Sequence, residues 1–374
     1  MTEQLPRSLS TNPGVPPQPA PHATPPTLGP LTAEELQLSA RNHSMPLEAL
    51  QRDITPPGLH YVLTHFDIPF VDINSWHLRI GGAVERSVEL SMAALRRDPM
   101  ISIPVTLECA GNGRSLLTPR PLSQPWVLEA VGTAEWSGVP LAYLLAQAGV
   151  DSDAVEVLFT GMDAGVQGGV PQRYARSLPI SEAMRPDVVL AYAMNGSELP
   201  PQHGYPLRLV VPGWYGMTSV KWLESIQVLR QPFEGFQQAV AYRYQEDADD
   251  AGTPVSRIQV RSLMVPPGVP DFFTRRRNVP HGPVLLQGRA WSGEGAVKRV
   301  EVGIDGKWSD AQLKPPAGPF AWCSWSLPWV ADPGEHELSC RATDSTGAVQ
   351  PLEQNWNYQG LANNQVQRIA VTVD

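Results

Sequence analysis

The chain has 374 residues, enough for two domains that each bury a core of their own. Hydrophobic residues make up 42% of it and charged residues 17%, as in an ordinary globular protein. No apolar run approaches the roughly 18 residues that a membrane-spanning helix needs. The formal net charge of −9 argues against a nucleic-acid partner, because contact with the phosphate backbone requires a basic face.

The first segment, residues 1–30, is rich in proline and has little to bury, which predicts a disordered leader. It holds neither an apolar h-region nor a twin arginine. Cytoplasmic localisation is therefore expected, with the periplasm as the alternative if a signal has been trimmed. Thr32 and Glu35 have the spacing of a capping box, which predicts that a helix begins there.

Two domains are predicted downstream of this leader. Alternating apolar residues predict strands at 77–80, 88–90, 101–107 and 155–159, and a helix at 141–148. This mixture predicts an α+β domain over residues 31–244. The acidic stretch 245–253 resembles a linker. Short alternating runs separated by Gly, Pro and Asp then predict an immunoglobulin-like β-sandwich over residues 254–374.

The cysteines are few and none forms a Cys-x-x-Cys pair, so a zinc ribbon, an iron–sulfur site and c-type haem all lack ligands. Cys323 and Cys340 are expected to be reduced core thiols. Cys109 differs in its surroundings, because a predicted strand leads into it and Gly111, Gly113 and Arg114 follow. A thiolate is a soft metal ligand, and glycines let the backbone approach a bulky group closely. The alternative is a small buried hydrophobe.

Residues 107–114, Leu-Glu-Cys-Ala-Gly-Asn-Gly-Arg, resemble the cofactor-binding segment of the sulfite oxidase family of molybdopterin enzymes. The resemblance covers about residues 55–374 and is most specific from 107 to 242. It implies a molybdenum–molybdopterin cofactor, with Cys109 as the one protein ligand of the metal. It also implies that the C-terminal domain forms a homodimer.

Further blocks keep the order of the family. Trp126 falls where relatives place an active-site tryptophan, whereas Trp136 is expected to pack in the core. Asp163 follows a predicted strand and matches a carboxylate that accepts hydrogen bonds from pterin N–H groups, although such a residue is often part of a turn. Tyr242 matches the active-site tyrosine and would orient substrate or relay a proton. The alternative for Tyr242 is a half-exposed surface residue.

The longest block, residues 190–222, is similar to the pterin-binding stretch of the family nearly residue for residue. His203, Arg208, Ser219 and Lys221 match positions that hold the pterin and its phosphate. These residue types suit a phosphate, which prefers the fork of an arginine, the point charge of a lysine and hydroxyl donors.

The sequence departs from the family at two arginine positions. Residues 41–43 spell the family's Arg-Asn-His motif but lie far from Cys109, and residues 63–65 have the better spacing. In that register Thr64 and His65 are cofactor contacts and a leucine replaces the arginine. Gln359 replaces a second arginine near the C-terminus. Arg114 remains as a cation for an anionic substrate.

Arg243 is a further candidate cation. Arg41 is expected to be a coincidental match, with a fold-back into the site as the alternative.

The favoured hypothesis is a molybdopterin-dependent oxidoreductase that oxidises sulfite, a small oxyanion. In it Arg114 stabilises the anion, Tyr242 positions it and Trp126 forms a wall of the site. Without a haem domain, electrons would leave to oxygen or to a separate carrier. The alternatives are a reductase of nitrate or of a sulfoxide, which the missing arginines favour, and a non-catalytic binding or assembly module. A Gly-x-Ser-x-Gly hydrolase motif and a dinucleotide fingerprint are both absent.

Overall fold

A computed structural model describes residues 31–374, and the predicted leader at 1–30 lies outside the described residues. The capping box at the first helix is confirmed. The Thr32 hydroxyl accepts a hydrogen bond from the Glu35 N–H at 3.2 Å, and the Glu35 carboxylate accepts one from the Thr32 N–H at 2.9 Å. Glu35 also forms a largely buried ion pair with Arg120, which ties this helix to the loop that follows the cysteine segment.

Most of the N-terminal region (residues 31–244) is sheet. Its strands are β1 (His77–Gly82), β2 (Val88–Ser91), β3 (Ile101–Glu108), β4 (Val131–Pro140), β5 (Glu156–Gln167), β6 (Val170–Pro179), β7 (Val189–Met194), β8 (Ser197–Glu198), β9 (Arg208–Val210), β10 (Leu223–Leu229) and β11 (Arg243–Tyr244). Its α-helices are short: α1 (Ala33–Arg41), α2 (Met92–Leu95), α3 (Leu141–Ala148), α4 (Ile180–Ala183) and α5 (Phe236–Ala239). Single 3₁₀ turns lie at Leu47–Gln51, Pro57–Leu59, Arg114–Leu116, Pro201–His203 and Gly216–Thr218. The predicted strands and the predicted helix are confirmed, although an α+β fold with so little helix was not foreseen.

Two sheets form the body of this region. One has the strand order β2-β1-β10-β5-β6, and the other has the order β3-β4-β7-β8 with β9 paired to β7. Apolar residues from both sheets and from α3 meet in one core, among them Leu78, Phe159, Leu145 and Leu190. The opposite face of the second sheet packs against the segment that carries Cys109. The end of β3 thus lies at the edge of two cores, which fixes where the cysteine loop begins.

The C-terminal region (residues 253–374) is a β-sandwich. Its strands are β12 (Thr253–Pro254), β13 (Arg261–Met264), β14 (Val269–Pro270), β15 (Arg277–Val279), β16 (Gly282–Trp291), β17 (Val297–Ile304), β18 (Lys307–Asp310), β19 (Gln312–Lys314), β20 (Cys323–Ala331), β21 (Gly334–Asp344) and β22 (Gln367–Val373). The sheets β13-β16-β20-β19 and β14-β15-β22-β21-β17-β18 enclose one apolar core. Cys323 and Cys340 are buried in it as free thiols, as expected.

The two regions also share a core. Met45 and Leu50 of the N-terminal region pack in one cluster with Leu263, Trp291 and Leu361 of the C-terminal region. The C-terminal region therefore forms part of the structural support of the cysteine loop.

From residue 31 onward, the chain contains no helix of the length and apolar character needed to cross a bilayer.

Candidate functional site

Cys109 lies in a tight loop directly after β3. Its side chain is buried, and its N–H donates to the Ala130 carbonyl at 2.9 Å. Asn112 closes the loop, because its N–H donates to the Cys109 carbonyl at 2.9 Å and its side-chain oxygen accepts from the Ala130 N–H at 3.1 Å. Burial raises the pKa of the Cys109 thiol, and the positive charge of Arg114 opposes that rise. The loop presents one sulfur from a rigid backbone.

Both glycines of the loop are required because neighbouring atoms lie too close to leave room for a Cβ. A Cβ on Gly111 would lie 2.7 Å from Nη1 of Arg114, so the guanidinium folds back over this residue. Gly113 has a φ of +88°, and a Cβ there would lie 2.8 Å from the Asn363 carbonyl oxygen. Arg114 is held by its Nε–H to the Gln359 carbonyl at 3.1 Å and by Nη1–H to the Gln124 carbonyl at 3.3 Å. The cation is therefore fixed beside the cysteine.

A cleft of about 640 Å³, open solvent at its mouth included, opens beside Cys109. Seven of the eight residues predicted to bind the cofactor line it: His65, Cys109, Asp163, His203, Arg208, Ser219 and Lys221. His60, Tyr61, Tyr174 and Gln202 also line it and were missed by the sequence reasoning.

One end of the cleft is strongly basic. Arg208 is 5% exposed, donates to the carbonyls of His203 at 3.0 Å and Ser219 at 3.2 Å, and lies over the Trp136 ring. Lys221 donates to the Leu63 carbonyl at 2.6 Å. Burial lowers the pKa of Arg208 to about 10. Burial, together with the positive charge of Arg208, lowers the pKa of Lys221 to about 7. Among the described residues, neither forms an ion pair with a carboxylate, so this end favours an anion.

A polar atom without a partner lines the cleft. Oδ1 of Asp163 is buried and has no hydrogen-bond partner among the described residues. Burial raises the pKa of Asp163 to about 6, and Lys221 opposes that rise. A buried polar atom without a partner is costly, so Oδ1 of Asp163 suits a ligand that supplies hydrogen-bond donors. A pterin, with its ring N–H groups and its phosphate, fits this donor and acceptor set.

His203 lies deeper, with its ring against His60 at 5.3 Å between centroids and its Nε2 3.3 Å from the Pro57 carbonyl oxygen. Burial lowers the pKa of His203 to about 2 and that of His60 to about 4. Both imidazoles are therefore neutral at pH 7. Ser219 accepts the Val211 N–H at 3.2 Å through its hydroxyl.

Thr64 is the one predicted cofactor contact that does not line the cleft. Its N–H and its hydroxyl both donate to the Asn42 side-chain oxygen, at 2.8 and 3.2 Å. Asn42 belongs to the Arg-Asn-His stretch that was set aside, so that stretch braces the segment around His65 from behind. Arg41 does not enter the site, because it donates to the Phe66 carbonyl at 2.7 Å and pairs with exposed Asp67.

Tyr242 and His65 meet on the side of the cleft towards Arg114. Their Oη and Nε2 atoms are 2.6 Å apart, a direct hydrogen bond. Tyr242 has a φ of +59°, which a bulky residue rarely adopts, and its N–H donates to the Gln359 side-chain oxygen at 2.9 Å. An arginine has no acceptor atom, so only a residue such as glutamine can make this bond at position 359. Burial lowers the pKa of His65 to about 3 and raises that of Tyr242, so both are neutral.

Trp126 is 4% exposed and packs in the same cluster as Cys109, and its indole N–H lies close enough to the Cys109 sulfur to act to lower the pKa of that thiol. Trp136 is fully buried in the core, as expected. Arg243 faces away from the site, because its Nη2 donates to the Gly252 carbonyl at 2.7 Å and so anchors the linker. Another cation, Arg176 of β6, lies with its guanidinium carbon 5.6 Å from the centre of the Tyr242 ring. No sequence motif pointed to it.

Comparison with protein families gives two matches. Residues 65–237 match the family described as "Oxidoreductase molybdopterin binding domain". Residues 253–374 match "Mo-co oxidoreductase dimerisation domain". The two matches meet near the predicted linker.

Curated relatives include sulfite oxidases and nitrate reductases. The chain is 36% identical to the sulfite oxidase of Gallus gallus, over 86% of this chain and 73% of the relative. It is also 36% identical to the mitochondrial sulfite oxidase of Homo sapiens, over 89% of this chain and 64% of the relative. For the NADH nitrate reductase of Solanum lycopersicum, the identity is 34% over 89% of this chain and 40% of the relative. The chain thus spans less than two thirds of the human and tomato proteins.

Among solved structures, the sulfane dehydrogenase SoxCD of Paracoccus pantotrophus superposes with a TM-score of 0.77. The sequence identity is 27%, and the alignment covers 99% of this chain and 96% of that one. The similarity therefore extends over both regions together with their relative placement.

Proposed function

Because this chain belongs to the sulfite oxidase family of molybdopterin-dependent oxidoreductases, we propose that it oxidises sulfite to sulfate. The protein is a molybdenum-dependent oxidoreductase, and its cofactor is molybdenum–molybdopterin. The observation that carries the choice of sulfite is the fixed, buried cation Arg114 beside Cys109, together with the neutral donor Tyr242.

Each contact expected for the cofactor has a residue that suits it. Cys109 would supply a thiolate to the metal, and Arg208 and Lys221 would bind the phosphate. Asp163, whose Oδ1 has no recorded partner, would accept pterin N–H groups. His60 and His203, both neutral, would add ring donors or acceptors. When bound, the cofactor supplies oxygen-atom transfer and takes up two electrons.

The protein's own contribution is to bind and orient the anion. Arg114 offers charge-assisted donors from a position fixed by two backbone carbonyls. The Tyr242 hydroxyl, hydrogen-bonded to neutral His65, orients a sulfite oxygen, and Trp126 excludes water from one side. The balanced reaction converts sulfite and water to sulfate, two protons and two electrons. Tyr242 and His65 form a path by which a proton can leave.

The wider assembly is part of the same proposal. The match of residues 253–374 to a dimerisation domain supports a homodimer, built through the C-terminal sandwich, for which an immunoglobulin-like topology remains the expectation. Electrons would pass to an external acceptor, either oxygen or a separate carrier. We also propose the domain boundaries 31–244 and 254–374 and a cytoplasmic location.

A second candidate is reduction of nitrate or of another oxo substrate. It is favoured by the nitrate reductase relative and by the neutral residues Leu63 and Gln359 at two positions where the family carries arginine. A sulfoxide is neutral and nitrate carries a single negative charge, so both need fewer cations than the sulfite dianion, and each charge-assisted hydrogen bond contributes about 1.5–3 kcal/mol.

The test is sulfite-dependent reduction of ferricyanide by molybdenum-loaded protein, with Cys109→Ser alongside. Turnover in the wild type that is lost in Cys109→Ser would support both the reaction and the metal ligand. Cys323→Ser removes a buried thiol of the sandwich and is the matched control, expected to keep full activity. A fully loaded wild-type protein that leaves sulfite unchanged but oxidises a reduced dye with nitrate or a sulfoxide would replace sulfite oxidation by the second candidate.

A further inference from the structure

Arg176 lies inside the protein near the proposed substrate position. It is on β6, opposite Phe159 of β5, and only 1% of it is exposed. Side chains alternate across a strand, so Tyr174 and Arg176 share the inward face while Arg173 points outward. Tyr174 lines the cleft and Arg173 is 52% exposed at its side chain, in agreement with this alternation.

Most of the N–H groups of the Arg176 guanidinium make no hydrogen bond to any residue that the structure describes. Of its five N–H groups, one is recorded as donating, from Nη1 to the Gln237 carbonyl. Its Nε–H is buried without a partner. Within the described part of the chain, no carboxylate lies within ion-pair distance of it, and the charge of Glu156 affects its pKa less than the phenols of Tyr174 and Tyr242 do. A buried, unpaired cation is costly, so an anion at this point would offset that cost.

Arg176 is connected to the proposed substrate position through Tyr242. Its guanidinium carbon is 5.6 Å from the centre of the Tyr242 ring, and the Tyr242 hydroxyl is 2.6 Å from His65 of the cleft. The Tyr242 N–H binds the side chain of Gln359, whose carbonyl holds Arg114. The phenol therefore has both arginines as neighbours, and the positive charges of both act to lower its pKa.

A purely structural role explains only part of this arrangement. The single bond to the Gln237 carbonyl helps to hold α5, the helix that precedes Tyr242. A neutral donor such as glutamine would be enough for that bond, and it would not require a charge to be buried. The remaining donors are what an oxyanion with several acceptor oxygens needs.

We propose that Arg176 is a substrate-binding residue that, together with Arg114, binds the oxyanion of the reaction. It supplies the charge that Leu63 and Gln359 do not. The inference rests on the proposed function in one respect only, namely that the substrate is a small oxyanion.

The experiment compares Arg176→Gln, Arg176→Lys and Arg173→Gln, each loaded with molybdenum. Arg173→Gln removes an exposed arginine of the same strand and is the matched control. Two quantities are measured: KM and kcat for sulfite, and the Kd for sulfate by calorimetry, which needs no turnover. Arg176→Gln is expected to raise KM and the sulfate Kd by about 10- to 100-fold, the size of one charge-assisted contact, with kcat nearly unchanged.

Arg176→Lys keeps the charge and loses the fork, so its sulfate Kd is expected to rise at least threefold. If Arg176→Gln fails to fold, the sulfate Kd of Arg176→Lys decides whether Arg176 binds the oxyanion. A folded Arg176→Gln protein, or failing that a folded Arg176→Lys protein, that binds sulfate as tightly as the wild type would overturn the inference. If sulfite is not oxidised and yet sulfate binding weakens in the Arg176 variants, the inference stands and only the proposed reaction fails. If sulfite is oxidised with an unchanged KM in Arg176→Gln, the reaction stands and the inference fails.

Discussion

Arg261, the first residue of β13 in the C-terminal region, forms a buried ion pair with Glu108, the residue immediately before Cys109. The Trp291 indole N–H donates to the other carboxylate oxygen of Glu108 at 2.7 Å, and the Asn112 side chain donates to the first at 3.0 Å. Glu108 is 1% exposed. Strands of the C-terminal region therefore fix the point at which the cysteine loop leaves β3.

Arg261→Met is expected to destabilise the protein, because it leaves the Glu108 carboxylate buried without its cation. Loss of one partner of a buried pair costs about 3–5 kcal/mol. The measurement is the free energy of unfolding from urea titration, with molybdenum content as a second readout. Arg299→Met removes an exposed ion-pair arginine and is expected to cost less than about 1 kcal/mol. Equal stability of the two variants would show that the buried pair is unimportant, and Glu108→Gln combined with Arg261→Met is expected to regain part of the loss.

Gly111→Ala is expected to displace the Arg114 guanidinium, because the added Cβ would lie 2.7 Å from Nη1 and 2.8 Å from Cζ. The expected result is a KM for sulfite raised by about tenfold, the loss of one charge-assisted bond, with little change in cofactor content. Gly58→Ala is the control, since a Cβ there meets nothing within 4 Å. If the two variants have the same KM, Arg114 does not hold the anion in the conformation described.

Tyr242→Phe removes the hydroxyl that binds Nε2 of His65 and leaves the ring beside Arg176. We expect kcat for sulfite to fall by about 100-fold, the lower end of what a positioned proton donor contributes, while molybdenum content stays at the wild-type level. Tyr244→Phe, two residues further on, is the control with full activity. Steady-state kinetics of the two variants decides the role, and a Tyr242→Phe enzyme with wild-type kcat would assign the hydroxyl to packing alone.

The affinity for the pterin phosphate is expected to depend on pH through Lys221, whose pKa burial lowers to about 7. A bound phosphate favours the charged lysine, so binding requires proton uptake once the empty site has lost that proton. Affinity is therefore constant just below pH 7 and falls above it, by up to about tenfold per pH unit. Titration of cofactor-free protein with metal-free molybdopterin from pH 7 to 9 measures this without involving the Cys109 thiol. In Lys221→Arg the affinity is expected not to change between pH 7 and 9. If it still falls with pH in that variant, another group causes the pH dependence.

The motifs of the sequence predicted which residues lie together in one cleft, because these motifs are local. Cys109, Asp163, His203, Arg208, Ser219 and Lys221 lie on short stretches whose order follows the chain, and one cleft collects them. The alternation of apolar and polar residues likewise predicted the strands at 77–80 and 101–107.

The substrate side was predicted less well because its contacts are long-range. Spacing favours the stretch 63–65 over 41–43, but the two act together, because Asn42 of the first binds Thr64 of the second. From the sequence Gln359 is only the replacement of an arginine, whereas in the structure its side-chain oxygen accepts the Tyr242 N–H, a bond that arginine cannot make. Arg176 stands in no motif, and only the fold of β6 reveals that a charge lies under Tyr242.

The core shared by the two regions has a consequence for the order in which the protein is made. The Ala362 N–H binds the Ala110 carbonyl at 2.6 Å, and the Asn363 side chain binds the Gly113 carbonyl at 2.8 Å. Asn363 is made 250 residues after Gly113, so the nascent chain carries an incomplete cysteine loop and an uncovered apolar face until these residues have left the ribosome. Such a face is a hazard for aggregation during synthesis. The cysteine loop is in consequence complete only once these residues have been made, and a chain stopped before Ala362 lacks both contacts that close the loop.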